Sequence, residues 1–421
     1  MRWGKRYKLD PIVSAKLNSL SKEELPVIIR FRESIKNDKI SSMSTNIKYQ
    51  LPVVGGVACK MNLKDIQKLS NDPDVDFISF DGKVFALLDI ANASVKSNIP
   101  HDLGYTGEGV TIAVIDTGIT PHVDLIRPKN RIIGFKDFVN GRSKPYDDNG
   151  HGTHVAGIIA SNGYSSNGKY AGIAPGANIL AIKALNESGS GDTSDIVSAI
   201  QWVIDNKEKY DIKILNLSLG TPATNSYKSC PLAQAVEKAV NAGITVVTAA
   251  GNSGPSKGTI LCPGNSPSAI TVGAVDDNKT PEIEDDFIAS FSSRGPTKDG
   301  LRKPDLVAPG VDITSLSNKN NSGYMSLSGT SMAVPVVTGA CALLFEKLDS
   351  PSPKEIRSLV MNSCIGINAK QNEQGSGIIN LEKMFNSNSS KSYNEVSQKS
   401  GFFFDNSIIF IIILLLLIID I

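Results

Sequence analysis

The stretch "VTIAVID", Val110–Asp116, is a mainly apolar run that ends on a carboxylate. Similar runs recur along the chain, and segments with helical spacing lie between them at about 151–161, 192–207 and 230–242. The further runs are "ANILAIKAL", "IKILNLSL", "ITVVTAAGN" and "AITVGAV". Buried strands that alternate with helices are typical of a parallel sheet covered on both faces. The sequence therefore predicts a doubly wound α/β domain with a mostly parallel sheet.

Polar side chains stand where several of these strands end. Asp116 ends the first strand, Ser218 follows "IKILNL", and Asn252 ends "ITVVTAAGN". In open α/β sheets the ligand crevice lies outside the carboxyl ends of the strands. We therefore expect these three residues to meet at one edge of the sheet.

A serine begins a further predicted helix, Ser331–Lys347, in the segment "LSGTSMAVPVVTG". Unsatisfied N–H groups and the positive end of the helix dipole face outward at such a position, which suits an oxyanion. The same pattern is also typical of an ordinary N-cap serine. A serine hydroxyl becomes a nucleophile only with a base within hydrogen-bond reach.

The segment "DDNGHGTHVAG", Asp147–Gly157, offers that base. His151 lies between two glycines, which lets its backbone approach the crevice, whereas His154 is expected to pack within the following helix. Zinc hydrolases of the helical type need histidines four apart with a glutamate between them, and "HGTH" has neither feature, which disfavours a metal. Asp116 would orient the imidazole and Asn252 would stabilise an oxyanion, as acyl transfer requires.

The order Asp, His, Ser is that of subtilisin. The chain resembles the subtilisin-like serine proteases from about residue 104 to 385, and within them the AprX-type bacterial subtilases. The family resemblance rests on "AVIDTGI", "NGHGTHVAG", "NLSLG", "AAGNSG", "FSSRGP", "KPDLVAPG" and "LSGTSMAVP". The AprX-type resemblance rests on "SNGKYAGIAPGANI" and "SFSSRGPTKDG". The family resemblance implies a serine endopeptidase that cleaves protein and peptide substrates.

The resemblance also implies roles for single residues. The triad would be Asp116, His151 and Ser331, with Asn252 in the oxyanion hole and the Thr330 hydroxyl as an additional candidate. Ser218, Leu219 and Gly220 would form a strand edge that pairs with the substrate backbone. Ala250 and Gly251 would form one wall of the P1 pocket.

The same resemblance implies a broad specificity. Leu261 and Cys262 fall near the far wall of the P1 pocket, so we expect an apolar P1 preference. Asp147 and Asn149 are candidates for contact with the neighbouring substrate residue, where they would favour a basic side chain.

Residues 1–88 read as a small α+β domain that resembles the propeptides of the family, which inhibit the enzyme intramolecularly until self-cleavage. Its predicted strands are "LPVIIRF", "YQLPVVGGVACKM" and "DVDFISFD", with a helix behind Asn62 and a strand-like connector, "GKVFALLDIANASV". We expect cleavage near Leu87 or Leu88. The peptidase domain would then span 89–385.

An Asn, Ser and Lys rich linker at 386–401 leads to an apolar tail at 402–421. The tail contains 12 consecutive Ile, Leu and Phe residues, Ile408–Ile419, about 18 Å of helix against about 30 Å of hydrocarbon. A membrane anchor and a short segment that packs or associates both remain open. The N-terminus has no apolar core typical of a signal peptide, which favours a cytoplasmic or membrane-associated protein.

Composition excludes other classes. The 43 basic and 42 acidic residues nearly balance, which disfavours nucleic acid as a partner. Five cysteines without metal spacing argue against a zinc module or a disulfide framework, although Cys230 and Cys262 could pair if the protein leaves the cell. The chemistry needs no cofactor. The resemblance allows a structural calcium ion, and Asp124 matches one of its ligand positions.

Two other functions fit the sequence less well. A dinucleotide-binding enzyme is disfavoured because "IDTGIT" lacks a glycine-rich phosphate turn. A peptide-binding module that retains the cleft without turnover is disfavoured because all of the reacting groups are present.

Overall fold

The computed structural model describes residues 8–9, 11–17, 24–33, 36, 40–43, 46–51, 55–80, 89–223 and 226–386. The chain divides into two compact units, residues 1–85 with 101–104, and residues 86–100 with 105–421. The expected cleavage site at Leu87 or Leu88 and the apolar tail at 402–421 lie outside the described residues.

The smaller unit contains a four-stranded antiparallel sheet in the order β2-β3-β1-β4. Its helices are α1 (Pro11–Leu17) and α2 (Leu63–Ser70), and its strands are β1 (Glu24–Phe31), β2 (Asn46–Leu51), β3 (Gly56–Asn62) and β4 (Val75–Phe80). Asn62 caps α2, because its side chain accepts a hydrogen bond from the Asp65 N–H at 3.0 Å. Apolar residues of the sheet and of α2 form one buried core.

The larger unit begins with α3 (Asp89–Ser94), where the sequence had suggested a strand-like connector; this expectation was wrong. The strands that follow are β5 (Thr111–Asp116), β6 (Ile132–Asp137), β7 (Asn178–Lys183), β8 (Ile212–Leu217), β9 (Thr245–Ala249), β10 (Ile270–Asp276), β11 (Phe287–Ile288), β12 (Leu306–Pro309), β13 (Ile313–Leu316) and β14 (Tyr324–Leu327). The helices are α4 (Asn98–Asp102), α5 (Val123–Ile126), α6 (His151–Ala160), α7 (Thr193–Asp205), α8 (Lys207–Tyr210), α9 (Pro231–Asn241), α10 (Thr330–Lys347), α11 (Pro353–Asn362), α12 (Gln371–Gln374) and α13 (Leu381–Asn386).

The main sheet has eight strands, in the order β11-β10-β9-β8-β5-β7-β6 with β12 beside β10. All of its pairs are parallel except that of β10 with β11. Alternate residues of β5 enter different cores. Ile112 and Val114 pack with α6 and α10, whereas Ala113 and Ile115 pack with α7 and α9. Helices therefore cover both faces, and the predicted doubly wound fold is confirmed.

Two local features of the larger unit are a capped helix start and a disulfide. Ser352 and Glu355 form a capping box at the start of α11. Cys230 and Cys262 form a disulfide, while Cys341 and Cys364 are buried thiols. None of the described helices combines the length and the apolar character needed to cross a bilayer.

Candidate active site

The predicted acid and base lie side by side at the carboxyl end of β5. His151 begins α6, and its Nδ1 lies 2.7 Å from Oδ1 of Asp116. Asp116 is fully buried, and its Oδ1 also accepts the Thr117 N–H at 2.7 Å. The imidazole, by contrast, is one-quarter exposed. The carboxylate can therefore fix the tautomer while Nε2 remains free for a reacting partner.

Three influences act on the pKa of His151. Burial lowers it, but the charge and hydrogen bond of Asp116, together with the charge of Asp147, outweigh burial and leave the pKa raised above its ordinary value. A raised pKa makes the imidazole a stronger base and stabilises the imidazolium that forms when it accepts a proton.

The nucleophile candidate faces the same cavity. His151 and Ser331 both line a cavity of about 540 Å³ at this edge of the sheet. The Ser331 hydroxyl donates to the Ser218 carbonyl oxygen at 3.1 Å, and the Ser218 hydroxyl donates to the Ser331 carbonyl oxygen at 3.0 Å. This pair of bonds joins the start of α10 to the end of β8. The hydroxyl proton of Ser331 is therefore directed at Ser218 in this structure.

Asn252 presents its amide next to that serine. Its Oδ1 accepts both the backbone N–H and the hydroxyl of Thr330, each at 2.9 Å, so its NH₂ group is the end left for a ligand. Thr330 is fully buried. The Thr330 hydroxyl therefore orients Asn252, and its own place in the oxyanion hole stays a prediction.

Gly329 keeps the space in front of these donors open. A Cβ at this position would lie 3.3 Å from Asn252 Nδ2 and 3.7 Å from the Ser331 nitrogen. Two N–H donors thus converge on a volume that any larger residue would enter. This arrangement fits an oxyanion formed during acyl transfer.

The expected substrate-binding residues fall into two groups. Ser218, Leu219 and Gly220 line the cavity with His151 and Ser331. Ala250 and Gly251 lie beside Leu261, whose N–H donates to the Ala250 carbonyl oxygen at 2.9 Å.

Leu261 fills the space between two glycine backbones. A Cβ added to Gly220 would lie 3.0 Å from Leu261 Cβ, and one added to Gly251 would lie 2.4 Å from Leu261 Cγ. The next residue, Cys262, is paired with Thr221 by two backbone hydrogen bonds and with Cys230 by the disulfide. The position of Leu261 is therefore fixed from both sides.

Asp147 and Asn149, which precede His151, differ in whether they reach the cavity. Asp147 is buried, and its carboxylate accepts hydrogen bonds from the protein itself, so the predicted contact with substrate was wrong. Asn149 lines the cavity, accepts the His151 N–H at 3.1 Å and donates to the Glu187 carbonyl oxygen at 2.9 Å.

One structural residue of the site was missed by sequence reasoning. Lys183 is completely buried at the end of β7, and its Nζ donates to the Thr117 and Leu185 carbonyl oxygens and to Asp148. It thus connects the loop after Asp116 with the loop before His151. The available signal was a single cation in the apolar run "ILAIKAL".

His154 has a structural position, as expected. It is fully buried, and its Nε2 lies 3.0 Å from the Ile313 carbonyl oxygen and 3.1 Å from that of Met325. Burial lowers its pKa to about 4, assisted by the proximity of His151. Among the described residues there is no group of three His, Cys, Asp or Glu side chains placed to hold a metal ion.

Asp124 does not fit a calcium ligand. Its Oδ1 accepts the Ser165 N–H at 2.8 Å, and its Oδ2 accepts the hydroxyls of Ser161 at 3.0 Å and Tyr324 at 2.7 Å. Calcium binds oxygen ligands whose lone pairs face the ion, whereas this buried carboxylate is surrounded by hydrogen-bond donors. The match of Asp124 to a calcium position was therefore misleading.

A doubly wound sheet with a histidine–carboxylate pair and a helix-start serine at one cavity is the arrangement of a serine hydrolase. Residues 107–377 match the model of the subtilase family. The chain belongs to the subtilase family, and it is a subtilisin-like serine endopeptidase.

Relatives agree with this assignment. The chain is 44% identical over 337 residues to "Serine protease AprX" of Bacillus subtilis (strain 168), covering 75% of each protein. It is 36% identical over 369 residues to "M-protease" of Shouchella clausii (strain KSM-K16), covering 85% of this chain and 88% of the relative. The solved structure of "Sphericase" matches with a TM-score of 0.56 and 33% identity, covering 66% of this chain and 92% of that one.

Proposed function

We propose that the chain hydrolyses peptide bonds through an acyl-enzyme on Ser331, with His151 as general base and acid and Asp116 as its orienting carboxylate. The observation that carries this proposal is the 2.7 Å contact between His151 and Asp116 at a cavity that Ser331 also lines. Asn252 Nδ2 and the Ser331 N–H are the oxyanion donors.

The reaction proceeds in two transfers. His151 Nε2 takes the Ser331 proton as the hydroxyl attacks the carbonyl carbon, and then gives that proton to the leaving amine. The oxyanion of each tetrahedral intermediate receives hydrogen bonds from Asn252 and Ser331. A water molecule, activated by His151, then hydrolyses the ester and restores the serine.

A serine-directed phosphonate tests the chemistry. It is expected to label the wild type at Ser331 and to stop casein cleavage, and Ser331→Ala is expected neither to label nor to cleave. Ser328→Ala is a matched control, since this exposed serine lies three positions earlier and bonds only toward Asp312. Labelling of Ser331→Ala, or normal turnover by it, would contradict the proposal.

The substrate is an extended protein segment that pairs with the Ser218–Gly220 edge, so that main-chain bonds supply affinity without side-chain selectivity. We assign the P1 pocket to the space beside Leu261, which favours apolar side chains of small or medium size. Leu261→Ala is expected to raise kcat/KM for a P1 Phe substrate relative to P1 Ala by about 10-fold or more, the size typical of added apolar volume. An unchanged ratio would exclude Leu261 from the pocket.

Residues 1–88 are proposed to be an inhibitory propeptide that is removed near Leu87 or Leu88. Support comes from the antiparallel α+β unit at the N-terminal side of the subtilase region. N-terminal sequencing of the mature wild type should begin near residue 89, whereas Ser331→Ala should keep Met1. An active wild type that keeps Met1 would refute this step.

The tail at 402–421 is proposed to attach the protease to a membrane. Support comes from the apolar run Ile408–Ile419. Carbonate extraction should leave the full chain in the membrane fraction and release a chain truncated at Ser387. Release of both chains would refute the anchor.

A further inference from the structure

Asp147 is a buried carboxylate with five donors around it. Its Oδ1 accepts the Thr117 hydroxyl at 2.9 Å, the Asn149 N–H at 3.1 Å and the Gly150 N–H at 2.8 Å. Its Oδ2 accepts the N–H of Thr153 at 2.9 Å and the Thr153 hydroxyl at 2.7 Å. Only 8% of the residue is exposed. Both oxygens are thus fully used within the protein.

These donors belong to the two segments that carry the acid and the base. Thr117 directly follows Asp116, and its hydroxyl oxygen also accepts the Gly152 N–H at 2.9 Å. Gly150 precedes His151, and Thr153 lies in the first turn of α6. The single carboxylate therefore connects the end of β5 to the start of α6, on both sides of the histidine.

Several charged or titratable groups surround His151. Asp116 contacts the ring from β5, and the charge of Asp147 acts on it from the preceding loop. His154, on the same helix, has a pKa lowered to about 4 and is neutral near pH 7. Asp148 is paired with Lys183 at 2.6 Å. Two carboxylates, Asp116 and Asp147, thus favour the imidazolium form.

We propose that Asp147 is a second acidic positioning residue for His151, which fixes the start of α6 against the Asp116 segment and keeps a negative charge facing the imidazolium formed during acyl transfer. This inference rests on the proposed function. Asp147 acts through His151 and the backbone, and it does not touch the substrate.

The test is the pH dependence of kcat/KM in Asp147→Asn. The base must be neutral to accept a proton, so activity rises with pH through the pKa of His151. Loss of the Asp147 charge removes an influence that raises that pKa, so the acid limb should move to lower pH. We also expect kcat to fall by about tenfold with a smaller change in KM, because small misplacements of catalytic groups are costly.

Asp137→Asn is the matched control. Asp137 is also a buried carboxylate at a strand end, and it accepts the N–H groups of Val139, Asn140 and Arg142 and the Tyr146 hydroxyl. Its charge is not among the influences that shift the pKa of His151. We expect this variant to lose stability without moving the acid limb.

Thr153→Val provides a second variant if Asp147→Asn does not fold. It removes one donor to Asp147 and keeps the charge, so kcat should fall while the acid limb stays in place; a wild-type kcat would overturn the positioning role. An acid limb in Asp147→Asn that is unchanged, or moved to higher pH, would overturn the inference as a whole. An inactive mature wild type would instead refute the proposed function, so the two failures are distinguishable.

Discussion

Asp116 and Asp124 are buried aspartates of the larger unit that each lie beside a histidine, and the pair with Asp116 faces the cavity. At the first, His151 Nδ1 lies 2.7 Å from Asp116, and Asp116 Oδ2 has no hydrogen-bond partner among the described residues. At the second, His122 Nδ1 lies 3.7 Å from Asp124, and protein donors reach both oxygens of Asp124.

The two histidines differ in the hydrogen bonds of their ring nitrogens and in the direction of their pKa shifts. His122 is fully buried; its Nδ1 accepts the Asp124 N–H at 3.2 Å and its Nε2 donates to the Gly323 carbonyl oxygen at 3.0 Å, which fixes the neutral ring. Burial lowers its pKa although Asp124 opposes this, whereas the pKa of His151 is raised. The His151 ring thus keeps a nitrogen open to the cavity, as the proposed catalytic pair requires, whereas both nitrogens of His122 are hydrogen-bonded.

The largest effect should come from exchanging the two aspartates for asparagine. Asp116→Asn should lower kcat on the order of 10⁴-fold, because an asparagine no longer fixes the tautomer or stabilises the imidazolium. Asp124→Asn should leave kcat within about threefold and instead lower the free energy of unfolding by about 1–3 kcal/mol, because donors lose their acceptor. Steady-state kinetics measure kcat of both variants, and thermal unfolding measures their stability. Equal losses of kcat would contradict the proposed difference between the two histidine–aspartate pairs.

The next effect concerns pH. Since the pKa of His151 is raised and the base must be neutral, the acid limb of kcat/KM should have its midpoint above 6.5, the ordinary histidine value. Replacement of His122 by Gln should not move that midpoint, because His122 stays neutral in its own pair. The pH profiles of kcat/KM for the wild type and for His122→Gln test both expectations. A midpoint below 6.5 in the wild type would contradict the assignment of His151 as the base.

A smaller effect is expected at Tyr324. Tyr324→Phe removes the shortest hydrogen bond to Asp124, at 2.7 Å, and leaves a buried carboxylate oxygen with one donor fewer. Loss of one partner of a buried charged group costs about 1–3 kcal/mol of stability. Chemical denaturation should show this loss with kcat unchanged, and a variant as stable as the wild type would show that the network is redundant.

The smallest expected effect is a null result for metal removal at Asp124. A chelator should change the melting temperature of the wild type and of Asp124→Asn by the same amount, because this carboxylate already receives protein donors. Scanning calorimetry with and without EDTA makes the comparison. A chelator effect that disappears in Asp124→Asn would make Asp124 a calcium ligand after all.

Local sequence predicted much of this fold. The apolar runs predicted the central strands because they are buried on both faces, and Asn62 marked a helix start through its own side chain. The edge strand β6 was missed, since "IIGFKD" is only partly buried and has no continuous apolar pattern. Likewise, Asp89–Ser94 forms a helix within a segment that sequence had suggested to be extended.

Sequence could predict the residues whose functional groups acyl transfer requires. It could not predict the roles of residues that depend on packing partners distant in sequence. Asp116, His151, Ser331 and Asn252 carry groups that acyl transfer requires, and they stand at element ends that topology brings together. The roles of Thr330, Asp147 and Asp124 depend instead on partners more than 20 positions away, such as Asn252, Thr117 and Tyr324. A local pattern does not show which donors will surround a given carboxylate or hydroxyl.

The disulfide between Cys230 and Cys262 has a consequence for how the activity of this enzyme is assayed. It joins the start of α9 to the residue after Leu261, so cleavage of this bond loosens one wall of the proposed P1 pocket. Dithiothreitol would then alter turnover without ever reaching the nucleophile, so assays of this subtilase should be interpreted with the redox state of the sample recorded.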